Sequence, residues 1–291
     1  MTTNPMLPIT IVARKPSDGV VTAKHKLLDL LNDLNVPFQI DNHDNTLAGL
    51  DQAMLPKLVR LESVKNGLLV SIGGDGSLLR LIPHAAANDL PIIGVNLGRL
   101  GFLADLPADD LSMLAEVIDG HCIKSPRALL AVSHTDGERV KPLGIGLNEL
   151  CIKSERPGKA LVFSITTHNN CFHYRADGYI IATPTGSTAY ALSSGGPVIS
   201  PDVDAQLMLP ICPHGQHTHP IVLPADSITT LQIAPDHTDK AIIFVDGSVV
   251  GTLRAGQKLQ VSKSQQSVTL IHPKEYNFMS VCRDKLHWKP R

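Results

Sequence analysis

The apolar run Leu68 to Ile72 stops at Gly73-Gly74-Asp75-Gly76, and residues at helical spacing follow from Ser77. A short β-prone run, broken by glycines and continued with helical periodicity, is the junction of a β-α unit, and such units build parallel sheets with helices on their faces. The neighbouring sequence repeats the theme. Residues 9–13 read as a strand, and Leu27, Leu28, Leu30, Leu31 and Leu34 mark one face of a helix that ends before Val36-Pro37. Residues 38–40 and 92–95 read as further strands, and Ser77 is expected to cap a helix running through Leu78, Leu79, Leu81 and Ile82.

After about Ser125 the character changes to short β-prone segments: 128–133, Leu161–Thr167, 178–182, 228–233 and Ala241–Val245. Turn signals at Asp136-Gly137, Asn169-Asn170, Asp246-Gly247 and Ala255-Gly256 separate them, with one helix expected over 188–194. At 291 residues the chain has room for two domains, an α/β half and a mostly β half. With no Pro- or Ser-rich linker between them, the halves are expected to pack directly together.

Composition narrows the function. Hydrophobic residues make up 43% and charged residues 18%, an ordinary globular balance. The formal charge of −1 gives no global attraction to nucleic acid or an anionic membrane, so any phosphate recognition must be local. No apolar run approaches the ~18 residues of a membrane helix, and the first residues carry no secretion signal. Cys122, Cys151, Cys171, Cys212 and Cys282 form no Cys-x-x-Cys pair, which argues against a disulfide framework or a zinc ribbon and for a reducing cytoplasm.

Chemistry concentrates in a few segments. Gly73, Gly74 and Gly76 let backbone amides approach a phosphate, and the following helix start favours an anion. Asp75 would repel that phosphate unless it binds a metal or takes a proton from an attacking hydroxyl; a tight turn with Asp75 as helix cap is the equal alternative. Asn96, Gly98, Gly101 and Phe102 follow the fourth strand. Asn148 can donate and accept while an ionised Glu149 only accepts, which together match a vicinal diol; a pair of turn residues is the plainer reading.

Arg175-Ala176-Asp177-Gly178, then residues 183–190 with Leu192, Ser193 and Gly195-Gly196, form the densest polar and glycine cluster in the chain. Its amides and hydroxyls suit a ligand, and the Tyr190 ring can stack on a base. No Gly-x-Gly-x-x-Gly occurs. The nearest approach to a P-loop, Gly251 to Gly256, has Gln257 in place of the lysine, and no Gly-x-Ser-x-Gly elbow is present. Cys212, His214, His217 and His219 invite a zinc reading, but the prolines among them and the irregular spacing favour an ordinary loop.

These blocks, in this order, resemble the bacterial branch of the NAD kinase family, together with the Asp246-Gly247 turn and the tail residues 270–276 and 285–288. The resemblance implies ATP-dependent phosphorylation of the 2'-hydroxyl on the adenosine ribose of NAD, with Asp75 as general base. It implies that Asn148 and Glu149 contact adenosine, that Asp177 supports that site, and that Thr188, Ala189, Tyr190 and Ser193 line the pocket, with Gly76 in the phosphate loop. Arg80 would lie near phosphate, and Lys159 is the nearest candidate for the basic residue that follows the Asn-Glu pair in the family. An arginine at position 175 goes with accepting NAD and rejecting NADH.

The fold implied is a Rossmann-like α/β domain over 1–125, a β-sandwich over 126–270, and a tail over 271–291 returning to the first domain. ATP as phosphoryl donor, a divalent cation, most naturally magnesium, with no protein-only metal site, and a homodimer or homotetramer complete the expectation. Two rivals remain at this stage: a kinase of phosphofructokinase or lipid type with another hydroxyl acceptor, and a non-catalytic dinucleotide sensor in which Asp75 is a turn residue.

Overall fold

The computed structural model describes residues 7–13, 17–42, 52–98, 101–136, 139–215 and 219–288. The chain divides into two units, Met1–Pro126 with Ser267–Arg291, and Arg127–Gln266.

In the first unit, β1 (Ile9–Val12), β2 (Phe38–Asp41), β3 (Leu58–Val59), β4 (Leu68–Ile72), β5 (Ile92–Asn96) and β6 (Leu106–Pro107) pair in parallel in the order β3-β2-β1-β4-β5-β6. This is the strand order of a dinucleotide-binding sheet, which places ligands beyond the carboxyl ends of its strands. Every residue of β1, β4 and β5 is buried, as a parallel sheet covered on both faces requires.

Helix α1 (Asp18–Asp33) follows β1, and the hydroxyl of Ser17 caps it by accepting the Val20 amide. It buries Val20, Ala23, Leu27, Leu28 and Leu31 against the sheet, while Leu34 sits past its last turn and is exposed. The expected leucine stripe is thus one residue too long, because the helix stops before Leu34 can complete it.

After β4 the expected helix divides into α2 (Asp75–Leu79) and α3 (Ile82–Ala87), with Pro83 at the start of the second. Gly74, not Ser77, occupies the cap position of α2. Ser77 is buried within the helix, beside Gly73. Helix α4 (Ser112–Ile118) follows β6 and adds Leu114 and Val117 to the core.

The second unit is β-rich. β7 (Cys122–Asp136) enters it and pairs with β8 (Arg139–Gly146); β9 (Glu149–Ser154), β10 (Leu161–Thr167) and β11 (Asn170–Ala182) follow. The amino-terminal half of β11 pairs with β10, and its carboxyl-terminal half lies between β9 and β12 (Ala205–Pro213). Beyond α5 (Tyr190–Ser193) and β12 come β13 (Ile221–Pro224), β14 (Thr229–Ile233), β15 (Ala241–Val245), β16 (Ser248–Leu253) and β17 (Lys258–Pro273).

One layer therefore runs β11-β10-β14-β17 and the other β13-β12-β11-β9-β15-β16, with β11 shared. Phe163, Ile165, Leu231 and Ile233 from the first layer meet Ile152, Tyr179, Ile181 and Ile243 from the second in one buried cluster. Strictly alternating burial along β10, β14 and β15 records the single buried face of each layer.

The β10–β11 turn falls at His168-Asn169, both with positive φ, one residue earlier than expected. The glycine of the expected Asp136-Gly137 turn lies outside the described residues. The helix expected over 188–194 is a 3-10 turn, Thr185–Thr188, followed by α5. The end of β17 lies in the first unit, where Leu270 pairs with Ile92 of β5, and α6 (Phe278–Lys285) follows it.

Candidate functional site

In the first unit, β4 delivers Gly73–Gly76 to the carboxyl edge of the parallel sheet. Gly74 and Gly76 are exposed, with open space where a side chain would stand. The first amides of a helix have no partner within it, so this loop can face an anion.

The Asp75 side chain neither caps α2 nor points into solvent alone. Its carboxylate accepts the backbone amides of Phe102 (2.9 Å), Leu103 (3.2 Å) and Ala104 (2.9 Å). Gly101 makes this grip possible, since a Cβ there would run into the Asp75 carboxylate. Asn96, at the end of β5, holds the same loop by donating its Nδ2 to the Ala104 carbonyl at 3.1 Å. Beside it, a cavity of about 330 Å³ opens, lined by residues including Thr22 and Lys26 of α1, Asn96, Gly98 and Asp109. Arg80 stands exposed at the end of α2.

In the second unit, a second aspartate makes the same kind of grip. Asp246 and Gly247 both have positive φ and form the tight turn between β15 and β16. The Asp246 carboxylate accepts the amides of Leu147 (2.7 Å), Asn148 (2.8 Å) and Glu149 (3.1 Å), fixing the backbone where β9 begins.

The loop of residues 183–189 closes on that backbone. The Thr183 amide donates to the Asn148 carbonyl at 2.9 Å, and its hydroxyl donates to the Leu147 carbonyl. Gly186 packs so tightly on Asn148 that a Cβ would overlap the Asn148 carbonyl oxygen. The buried Ser187 hydroxyl donates to the Pro184 carbonyl at 2.6 Å and accepts the Ile199 amide at 2.9 Å.

Asn148 and Glu149 are consequently buried, and Asn148 Oδ1 and Glu149 Oε2 have no hydrogen-bond partner. Neighbouring buried acceptors left unpaired are costly unless a ligand supplies the donors. Burial, with the Asp246 carboxylate nearby, pushes the Glu149 carboxyl up to about 7, against a hydrogen bond from the Tyr190 backbone amide. Burial also raises Asp246, against the three amides it accepts.

The remaining expected residues of this unit lie on the 185–193 segment, on β11 and in the β9–β10 turn. Thr188, Ala189 and Tyr190 are half-buried, and Ser193 is exposed at the end of α5. The Thr188 hydroxyl donates to the Thr185 carbonyl. Arg175 is exposed on β11, and Asp177, two residues on, lies 4.0 Å from His214 Nε2. Lys159 is exposed in the turn between β9 and β10, whereas Lys153 holds its Nζ 4.3 Å above the Tyr190 ring. Sequence reasoning missed Lys153 and the grip of Asp246. The Asp-Gly turn was visible, but nothing local says which amides its carboxylate meets.

Of the cysteine-histidine group, Cys212, His214 and His219 are described and His217 is not. Among the described residues no three His, Cys, Asp or Glu side chains converge to hold a metal ion.

A parallel sheet in this order, with a glycine loop at its carboxyl edge and a β-layered unit holding unpaired buried acceptors, defines a nucleotide-binding α/β protein. Residues 11–122 match the family described as ATP-NAD kinase N-terminal domain, and residues 147–273 match the ATP-NAD kinase C-terminal domain. The chain is 34% identical over 285 residues to an NAD kinase of Coxiella burnetii, covering 97% of this chain and 95% of the relative. It is 34% identical over 291 residues to the NAD kinase of Blochmanniella floridana, covering 99% of each. Among solved structures it is similar to yeast NADH kinase complexed with NADH, with a TM-score of 0.87 at 22% identity over 99% of this chain and 90% of that one. An Archaeoglobus fulgidus NAD kinase in complex with ATP gives a TM-score of 0.71 at 22% identity, over 97% of this chain and 100% of that one. The chain belongs to the NAD kinase family.

Proposed function

We propose that this chain transfers the γ-phosphoryl group of ATP to the 2'-hydroxyl of the adenosine ribose of NAD, with Asp75 as general base. The observation that carries the substrate reading is the unpaired pair Asn148 Oδ1 and Glu149 Oε2, buried where donors on an adenosine, its hydroxyls or its amine, would satisfy both. On this reading Asp177, Thr188, Ala189, Tyr190 and Ser193, with Lys159 and Arg175, contribute to binding NAD.

A carboxylate has about four acceptor positions, of which Asp75 uses two on Oδ1 and one on Oδ2. Oδ2 keeps one position for the proton of the attacking hydroxyl. As the ribose oxygen bonds to the γ-phosphorus, the bond from γ-phosphorus to the β,γ-bridging oxygen breaks, ADP leaves, and the hydroxyl proton passes to Asp75 before release to water. Gly74 and Gly76 leave open space for the phosphates, Gly73 turns the loop tightly against Ser77, and Arg80 offers positive charge. Magnesium bound together with ATP would supply charge neutralisation for the transferring phosphoryl group. The active form is a cytoplasmic homodimer or homotetramer.

Purified protein with ATP, magnesium and NAD should form NADP, read with an NADP-specific dehydrogenase. Asp75→Asn should retain NAD binding and lose kcat by about 10²-fold or more; near-normal turnover would exclude the assigned role. Arg175→His should widen use toward NADH, and unchanged NADH turnover would remove Arg175 from the specificity argument.

A further inference from the structure

The chain's last strand reaches the loop that grips Asp75. His272, near the end of β17, is fully buried, and its Nδ1 lies 2.7 Å from Oδ2 of Asp105, itself nearly buried. An ionised carboxylate can only accept, so Nδ1 carries the proton and donates it. The turn at Pro273–Tyr276, closed by the Tyr276 amide on the Pro273 carbonyl, folds the Tyr276 ring back onto the imidazole, with centroids 3.8 Å apart and planes within 9°. The imidazole is thereby fixed in tilt and position.

Asp105 is the residue after Ala104. The Ala104 amide donates to Asp75 Oδ1, and its carbonyl accepts both the Gly101 amide and Asn96 Nδ2. The loop of residues 101–105 is thus held at Asn96, at Asp75 and, through the Asp105 side chain, at His272. Three amides can aim the Asp75 carboxylate only if they are themselves fixed, and the His272–Asp105 bond is the anchor at the loop's far end.

We infer that His272, through Asp105, is a positioning residue that sets the orientation of the Asp75 carboxylate. This rests on the reading of Asp75 as general base. A proton-transfer geometry is sensitive to displacements of an ångström or less, so losing the anchor should act on the chemical step rather than on NAD capture, which rests on Asn148 and Glu149.

The test uses the full-length protein with ATP, magnesium and NAD. Asp105→Asn and His272→Ala should each lower kcat about tenfold while KM for NAD stays within about twofold. His272→Asn, whose amide can place a donor where Nδ1 stood, should recover most of kcat, and the larger, apolar His272→Leu should not. In an Asp75→Asn background, His272→Ala should cost nothing further, because its effect passes through the missing carboxylate. Amide hydrogen exchange at residues 102–104 should quicken in His272→Ala and in Asp105→Asn. The isosteric Asp105→Asn keeps the question answerable if His272→Ala folds poorly. Faster exchange with unchanged kcat in both variants would make the pair merely structural and overturn the inference, as would equal kcat for His272→Asn and His272→Leu. An unchanged kcat in Asp75→Asn would instead bring down the general-base reading itself.

Discussion

Asp75 and Asp246 perform one physical task at two places. Each is a short carboxylate that accepts three successive backbone amides, and charge-assisted bonds of this kind fix a loop more firmly than neutral ones. The difference lies in what the gripped backbone presents. Asp246 holds up Asn148 and Glu149 with unpaired acceptors, and Glu149 pays for its burial in protonation. Its carboxyl is raised from 4.5 to about 7, so the folded state holds a proton that the unfolded chain has lost between those values. Stability is therefore full at the acid end and declines as pH rises through about 7, by on the order of 3 kcal/mol from this group alone. Asp246 is raised in the same sense. Glu149→Gln should flatten the pH dependence of the ligand-free urea midpoint between about pH 4.5 and 7. Matching slopes for wild type and variant would refute the assignment. Because a ligand hydroxyl donates to the ionised carboxylate, NAD should bind more tightly at pH 8 than at pH 6, with a proton released that calorimetry in two buffers would count.

Among the elements, the β15–β16 hairpin matters less for its strands than for where its turn lands. Its Asp-Gly sequence selects the tight turn, and pairing of β15 with β9 then carries the Asp246 carboxylate to the amides of residues 147–149. The 183–189 loop is set against the same backbone by Gly186. Gly186→Ala should therefore destabilise the protein by about 2 kcal/mol or more, read by urea unfolding, since the colliding atom is a backbone carbonyl that cannot swing aside. It should also weaken NAD binding, because the loop would lift from Asn148. A fully retained urea midpoint would contradict the close contact. Helix α1 shows the opposite case, where local chemistry suffices: Ser17 starts it and its buried stripe can be read from spacing alone.

For the whole molecule, ligand binding and stability are linked. NAD at about 100 times its Kd should add about 2.7 kcal/mol to the stability of the folded state, raising Tm by roughly 4–5 °C for a chain of this size. That shift should survive Asp75→Asn and vanish in Asn148→Ala; a shift lost in both would mean the two carboxylate grips are not separable. Much of the architecture was legible in the residues. The runs at 68–72, 161–167 and 241–245 are strands over those very spans, because unbroken burial and strict alternation each leave a plain periodic trace. Glycine and polar blocks marked where ligand chemistry concentrates, since turns and phosphate contacts demand particular residue types. What sequence could not supply was which side chain meets which distant amide. Asp75 reaches residues 102–104, Asp246 reaches 147–149, and His272 reaches Asp105 across 167 positions. Those meetings depend on strand order and register, which are set by burial summed over many residues, so only the tertiary structure decides them.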